Sequence, residues 1–210
     1  MSHSSKRWLQ RHVSDPFVKR AREEGYRSRA AYKLLEIDAR DRLLRPGATV
    51  IDLGAAPGGW SQVAAAKVGQ GGKRGRVVAI DLLEMPAPPG VQFIQGSFLD
   101  PAVRAAALAA AAGKVDLVLS DMMPNVSGIA SADQARAAEL VHEAIAFCGE
   151  VLKPGGAFLV KVFQGAEFAG ILAELRRCFA SVQTRKPAAS RGESRETYLL
   201  ARQPKVADSR

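Results

Sequence analysis

At 210 residues, 47% hydrophobic and 24% charged, the chain has room for one domain with a substantial core, or a core plus a small appendage. It carries no run of about eighteen apolar residues, which excludes a membrane-spanning helix, and Met1 to Val13 lack the apolar stretch of a secretory signal. The net charge of +9 favours a polyanionic partner.

That excess is uneven. Lys6 to Arg45 hold twelve Lys/Arg against six Asp/Glu, and Arg185, Lys186, Arg191 and Arg195 form a second basic cluster. Two basic segments flanking a nearly neutral middle point to nucleic acid, whereas any one of these residues alone also reads as solvated surface charge. Residues 1–27 are polar and basic, with helical pattern from Asp15 to Glu24, and are read as an RNA-contacting segment. Residues 28–203 are read as one domain, and 204–210 as a frayed tail.

Within the domain, Ser28 precedes an amphipathic helix, Arg29 to Arg42, with Ala30, Leu34, Ile37 and Leu44 on its apolar stripe. Arg45-Pro46-Gly47 breaks it. Strand Thr49–Leu53, helix Ser61–Val68, strands Val77–Asp81 and Val91–Gln95, helix Pro101–Ala112 and strand Val115–Ser120 follow. A long helix, Asp133–Leu152, is stopped by Lys153-Pro154-Gly155-Gly156. Strand Ala157–Phe163, helix Phe168–Phe179 and strands Val182–Arg185 and Thr197–Ala201 close the series. Alternating strands and helices predict an α/β, Rossmann-like fold: a mostly parallel sheet, helices on both faces, and an antiparallel edge strand. Cys148 and Cys178 fall in apolar helical patterns and lack a CxxC partner, and His3, His12 and His142 show no ligand spacing. Reduced, buried thiols in a cytoplasmic protein and no metal site are expected.

Val50 to Trp60 reads Val-Ile-Asp-Leu-Gly-Ala-Ala-Pro-Gly-Gly-Trp, an apolar strand running into a glycine turn and then a helix. In an open α/β sheet that crossing binds nucleotide-like ligands. The spacing Gly-x-x-x-Gly-Gly matches neither a dinucleotide fingerprint nor a P-loop, and Pro57 removes an amide donor that a phosphate would want. A nucleoside ligand without phosphate is expected, S-adenosylmethionine first; the alternative is a turn rich in glycine for packing alone.

Polar residues just past strand ends line such a crevice. Asp81 is placed to accept hydrogen bonds from both ribose hydroxyls of an adenosine, Ser97 to touch the adenine edge, and Asp121 to open the turn Met122-Met123-Pro124-Asn125. Singly, each also reads as a helix cap or turn former. Lys161 interrupts Ala157-Phe158-Leu159-Val160-Lys161-Val162-Phe163. An unpaired lysine in a buried strand costs free energy and loses its proton more easily; on an edge strand it would snorkel to water.

Ser28-Arg29-Ala30-Ala31-Tyr32-Lys33-Leu34, the Asp52–Trp60 loop, Ser120 to Asn125, Val160-Lys161-Val162-Phe163-Gln164-Gly165 and Ser194-Arg195-Glu196-Thr197-Tyr198 come in this order. In these five motifs the chain, from Arg7 to Arg202, resembles the FtsJ/RlmE (RrmJ) family of S-adenosylmethionine-dependent RNA ribose 2′-O-methyltransferases. The resemblance implies a class I methyltransferase fold and a catalytic tetrad at Lys33, Asp121, Lys161 and Glu196. It places cofactor contacts at Gly58, Trp60, Asp81, Ser97 and Asp121. Bacterial members carry aspartate where this chain has Ser97, a change expected to cost about 1 kcal/mol of cofactor affinity.

With Arg7-Trp8-Leu9-Gln10-Arg11-His12 at the N-terminus, the resemblance further implies a uridine of large-subunit ribosomal RNA, in the assembled particle, as substrate, and a monomeric enzyme. Transfer RNA, or a non-enzymatic role in ribosome assembly, are the alternatives. An ordinary lysine, with pKa about 10.4, is protonated at neutral pH. Desolvation, the cofactor's sulfonium and Lys33 would lower the Lys161 pKa, and Asp121 and Glu196 would raise it. The apolar strand favours a general base; the other role is a charged group that orients the hydroxyl.

Overall fold

The computed structural model describes residues 15–124, 127–190 and 194–205. The motif Arg7 to His12, with Lys6, Asn125, Arg191 and the tail past 205, lies outside them.

Helix α1 (Pro16–Glu23) starts where Pro16 has no amide to lose and the Asp15 carboxylate accepts the Phe17 N–H at 3.0 Å. Helix α2 (Ala31–Asp41) buries Ala31, Leu34 and Ile37 and ends at Arg42 in a left-handed cap. Strand β1 (Thr49–Leu53) leads into α3 (Gly59–Val68), a 3-10 turn (Gln70–Gly72), β2 (Arg76–Asp81) and β3 (Val91–Gln95). Then come α4 (Pro101–Ala111), β4 (Val115–Ser120), α5 (Ala130–Val151), β5 (Leu152–Phe163), α6 (Phe168–Cys178), β6 (Phe179–Arg185) and β7 (Glu196–Pro204). No helix among the described residues is long and apolar enough to cross a membrane.

The seven strands form one sheet in the order β3-β2-β1-β4-β5-β7-β6. β1 to β5 pair in parallel, and β7 runs antiparallel between β5 and β6, so the antiparallel part occupies one edge. Alternation along each strand sends side chains to two cores. Ile51, Leu53, Val118, Phe158 and Val160 pack with α4, α5 and α6 on one face. Val50, Leu117, Leu159, Tyr198 and Leu200 pack with α2 and α3 on the other. Each fully buried large apolar side chain among them contributes about 1.5–3 kcal/mol.

Several boundaries differ from expectation: β6 begins at Phe179 and not Val182, β7 runs to Pro204 and not Ala201, and the starts of α5 and β5 shift with a visible cause. Helix α5 begins at Ala130, with Asp133 inside its first turn; the Asp133 carboxylate reaches back to the Ser127 N–H and hydroxyl, both at 2.7 Å. β5 begins at Leu152, directly after α5. Leu152 pairs with Val115 and Ala157 with Leu117, so Lys153 to Gly156 form a bulge inside the strand. Cys148 is buried as expected, and Cys178, at the end of α6, is partly exposed; both are free thiols.

Candidate active site

The strand order reverses direction between β1 and β4, which opens a crevice at their carboxyl ends. The two ends touch. Gly54, at φ +70°, lies so close to Met122 that a Cβ there would come within 2.3 Å of its Cγ, so only glycine fits. Gly58, at φ +102°, turns the chain into α3.

Three carboxylates surround this crevice. Asp52 is 1% exposed and accepts the Ser61 hydroxyl at 2.6 Å. Burial pushes its carboxyl up to about 7; the Ser61 bond pulls it down, and the charges of Asp121 and Asp81 push it up further. Asp81, at the end of β2, accepts the Ala56 and Leu83 amides, each at 2.8 Å, and so ties the glycine loop to the next one. Each of its oxygens keeps a lone pair for another donor. Ser97 lies past β3, its hydroxyl accepting the Leu99 N–H at 3.2 Å. Leu82, Leu83 and Met123, exposed apolar side chains that the sequence reading passed over, stand in the loops after β2 and β4.

Trp60 sits otherwise than a ligand contact would suggest. Its indole is buried, donates to the Ala30 carbonyl at 2.8 Å and packs 5.7 Å from the Tyr198 ring. What Trp60 can offer a cofactor is its backbone, in the first turn of α3, where helical amides lack intrahelical partners.

Beside the crevice, two lysine–carboxylate pairs stand on one face of the sheet. β5 and β7 align Lys161 with Tyr198 and Phe163 with Glu196, so alternation brings Lys161, Tyr198 and Glu196 to the same side, under α2. Lys161, 8% exposed, donates from Nζ to the Asp121 main-chain oxygen at 2.8 Å and pairs with its Oδ1 at 3.1 Å. Lys33, on α2, reaches Glu196 Oε1 at 2.6 Å and lies 5.7 Å from the centre of the Tyr198 ring. Burial alone would raise the Glu196 carboxyl; the Lys33 ammonium, by charge and hydrogen bond, and the Lys161 charge hold it below its ordinary value.

Tyr198 joins the two pairs, and sequence reasoning read it only as part of a motif. Its hydroxyl donates to Asp121 Oδ1 at 2.8 Å. Burial raises the phenol far above its ordinary value, and the Asp121 charge adds to this, so it stays a donor. Asp121 thus holds Lys161 by two oxygens and is held by Tyr198. A tetrahedral nitrogen with two positions engaged this way has its third free for one further partner.

Residues 26–204 match the model of the FtsJ-like methyltransferase family. The chain belongs to this family. This methyltransferase is 57% identical over 198 residues to Ribosomal RNA large subunit methyltransferase E of Methylobacillus flagellatus, covering 94% of each chain. It is 55% identical over 202 residues to the protein of that name from Pseudomonas aeruginosa, covering 96% of each. A crystal structure from Plasmodium falciparum, assigned there as a ribosomal RNA methyltransferase, superposes with a TM-score of 0.76 at 30% identity, over 85% of this methyltransferase and 98% of that chain.

Proposed function

We propose that this methyltransferase moves the methyl group of S-adenosylmethionine to a ribose 2′-hydroxyl of RNA, its substrate being a uridine of large-subunit ribosomal RNA in the assembled particle. It works in the cytoplasm. The observation that carries this reading is the pairing of Lys161 with Asp121 at the mouth of the carboxylate-lined crevice. The relatives' names support the substrate. The donor set suits the cofactor: Asp52, Asp81 and Asp121 favour a cation, and a loop containing Pro57 is poor in amides for a phosphate.

When bound, the cofactor supplies an electrophilic methyl on a cationic sulfur that departs neutral, so the protein's task lies with the nucleophile. As a neutral amine, Lys161 gives its two N–H groups to the two Asp121 oxygens and turns its lone pair to the remaining position. There it takes the proton of the 2′-hydroxyl. Asp121 and, behind it, the Tyr198 hydroxyl fix the direction of that lone pair. The resulting ammonium is neutralised by Asp121, and Lys33 with Glu196 form the adjoining wall. Asp81 binds the ribose of the cofactor, and the backbone at Gly58 and Trp60 with Ser97 complete its seat.

The test is transfer of a labelled methyl group from S-adenosylmethionine to large ribosomal subunits from cells lacking the enzyme. Label in a ribose of the large-subunit RNA is expected; label in transfer RNA or in protein instead rejects the substrate. Single-turnover rates at saturating cofactor should rise with pH as the base gives up its proton, and a flat profile removes the base role.

Asp52 adds a second signature. Its folded carboxyl is harder to ionise, at about 7, than an unfolded aspartate at about 3.9, so stability should decline as pH rises from about 4 to about 7 and then level. A cationic ligand favours the charged form. Cofactor affinity should therefore increase across about pH 6–8 with release of protons, read by calorimetry in buffers of different ionisation enthalpy. Affinity independent of pH with no proton release contradicts this.

A further inference from the structure

A second cavity, about 310 Å³, opens at the opposite end of the sheet, where β1, β4 and β5 begin. Arg45, Asp116, Lys153 and Arg202 are the charged residues in its wall. β4 carries Asp116 at one end and leads to Asp121 at the other, so its six residues, about 20 Å of strand, separate this cavity from the crevice. None of these side chains takes part in the chemistry above.

Its charge is strongly one-sided. Asp116 is fully engaged, accepting Lys153 Nζ at 2.8 Å and the Thr49 N–H at 2.8 Å. Arg202 donates to the Asp41 main-chain oxygen at 2.8 Å and stands 3.9 Å from the Asp41 carboxylate, whose hydrogen bonds are taken by Arg185. Arg45 is exposed, and its side chain makes no hydrogen bond or ion pair among the described residues. Lys73 lies along the same loop: a Cβ added to Gly47 would meet its Cδ at 3.4 Å. Its side chain too is exposed and has no such partner there. Three cations and one carboxylate therefore line a cavity many times the volume of a water molecule, about 30 Å³, and Lys73 lies beside its wall at Gly47.

We infer that this cavity is a second RNA contact, seating a backbone phosphodiester between Arg45, Lys153 and Arg202, with Lys73 alongside at its rim. The inference rests on the reading of the substrate as structured RNA. The Arg45 guanidinium, without a carboxylate partner among the described residues, is suited to phosphate oxygens, and Lys153 keeps donors beyond the one that Asp116 holds. Placed a strand's length behind the crevice, they can be reached together with it only by RNA that folds around the enzyme. The large ribosomal subunit presents such a surface, and a short single strand does not. The contact would thus hold the enzyme to the particle without touching the modified nucleotide.

The experiment uses the full chain with Arg45→Gln and Lys73→Gln combined, both exposed positions outside the catalytic and cofactor residues. Binding to unmodified large subunits is measured across salt concentrations, with cofactor affinity and melting temperature as controls. The slope of log K against log salt should become shallower by about 2, one for each lost phosphate contact, with weaker binding at physiological salt and both controls unchanged. A slope and affinity equal to wild type overturn the inference, and so does a parallel loss of cofactor affinity. Lys153→Gln, which leaves Asp116 its bond from Thr49, checks the pair by a separate route and should lower the slope by about 1. Failure of the wild-type enzyme to bind large subunits at all would instead reject the substrate reading.

Discussion

Replacing Lys161 by alanine should lower kcat for methyl transfer by about 10³-fold while the protein stays folded and binds its cofactor as before. The loss falls on kcat because proton removal is realised only in the transition state. Folding survives because Asp121 keeps the Tyr198 hydroxyl bond at 2.8 Å and is itself partly open to water. Lys161→Arg separates the two possible roles. A guanidinium restores the positive charge beside Asp121 but holds its proton at any working pH. It should therefore be as inactive as the alanine variant. Recovery of rate by arginine would assign Lys161 to charge stabilisation, and an alanine variant with the wild-type rate would remove it from the reaction. The measurements are single-turnover transfer, calorimetry with the cofactor, and thermal melting.

The second large effect lies away from the crevice. Arg185 closes β6 and meets Asp41, at the end of α2, with two hydrogen bonds of 2.6 Å each; Arg202 of β7 approaches the same carboxylate at 3.9 Å. Both side chains of the Arg185–Asp41 pair are at most 10% exposed. Truncating one partner strands the other charge out of water, so Arg185→Ala should cost about 3 kcal/mol, and the melting temperature should fall by roughly 10 °C for a domain of this size. Because α2 also carries Lys33, and β7 carries Glu196, the same variant should slow transfer as the two elements drift apart. The Arg185 hydrogen bonds hold the Asp41 carboxyl below its ordinary range against the cost of burial. Its stabilising contribution is therefore full above the unfolded value of about 3.9 and fades as pH drops through the depressed one, so wild type and variant should converge only in acid. Equal melting temperatures at neutral pH would show that the clamp holds nothing.

Local pattern carried most of the fold. β1, β3 and β4 begin and end where expected: β1 and β4 are mostly apolar runs, β3 is a short mixed one between Gly90 and Gly96, and each is bounded by turn formers. The misread junction is instructive. The helix does stop just before Pro154, Gly155 and Gly156, as expected, but the next strand begins earlier than expected and absorbs them as a bulge, where proline lacks no ladder bond and glycine costs little. Asp133 resembles an N-cap, but helix α5 starts a turn earlier because that carboxylate can bind Ser127 from within.

The site was legible unevenly. Lys161 stands out from sequence because a charge in a buried strand violates the pattern around it. Lys33 and Glu196 carry no such mark: one lies in an ordinary amphipathic helix, the other before an ordinary strand, and only family resemblance singled them out. Tyr198 reads as a core aromatic, which it also is; that its hydroxyl meets Asp121 depends on the register between β5 and β7. Trp60 shows the reverse, a residue expected at the ligand whose indole is engaged by Ala30 in the core.

The place of β7 has a consequence for how the enzyme comes into being. Translation delivers β5 and β6 before the strand that belongs between them. Until it arrives, both present bare edges to any neighbouring polypeptide, and the nascent chain lacks Glu196 and Tyr198 altogether. Activity is therefore withheld until this late insertion, and a product stopped short of residue 196 would be both inert and prone to aggregate.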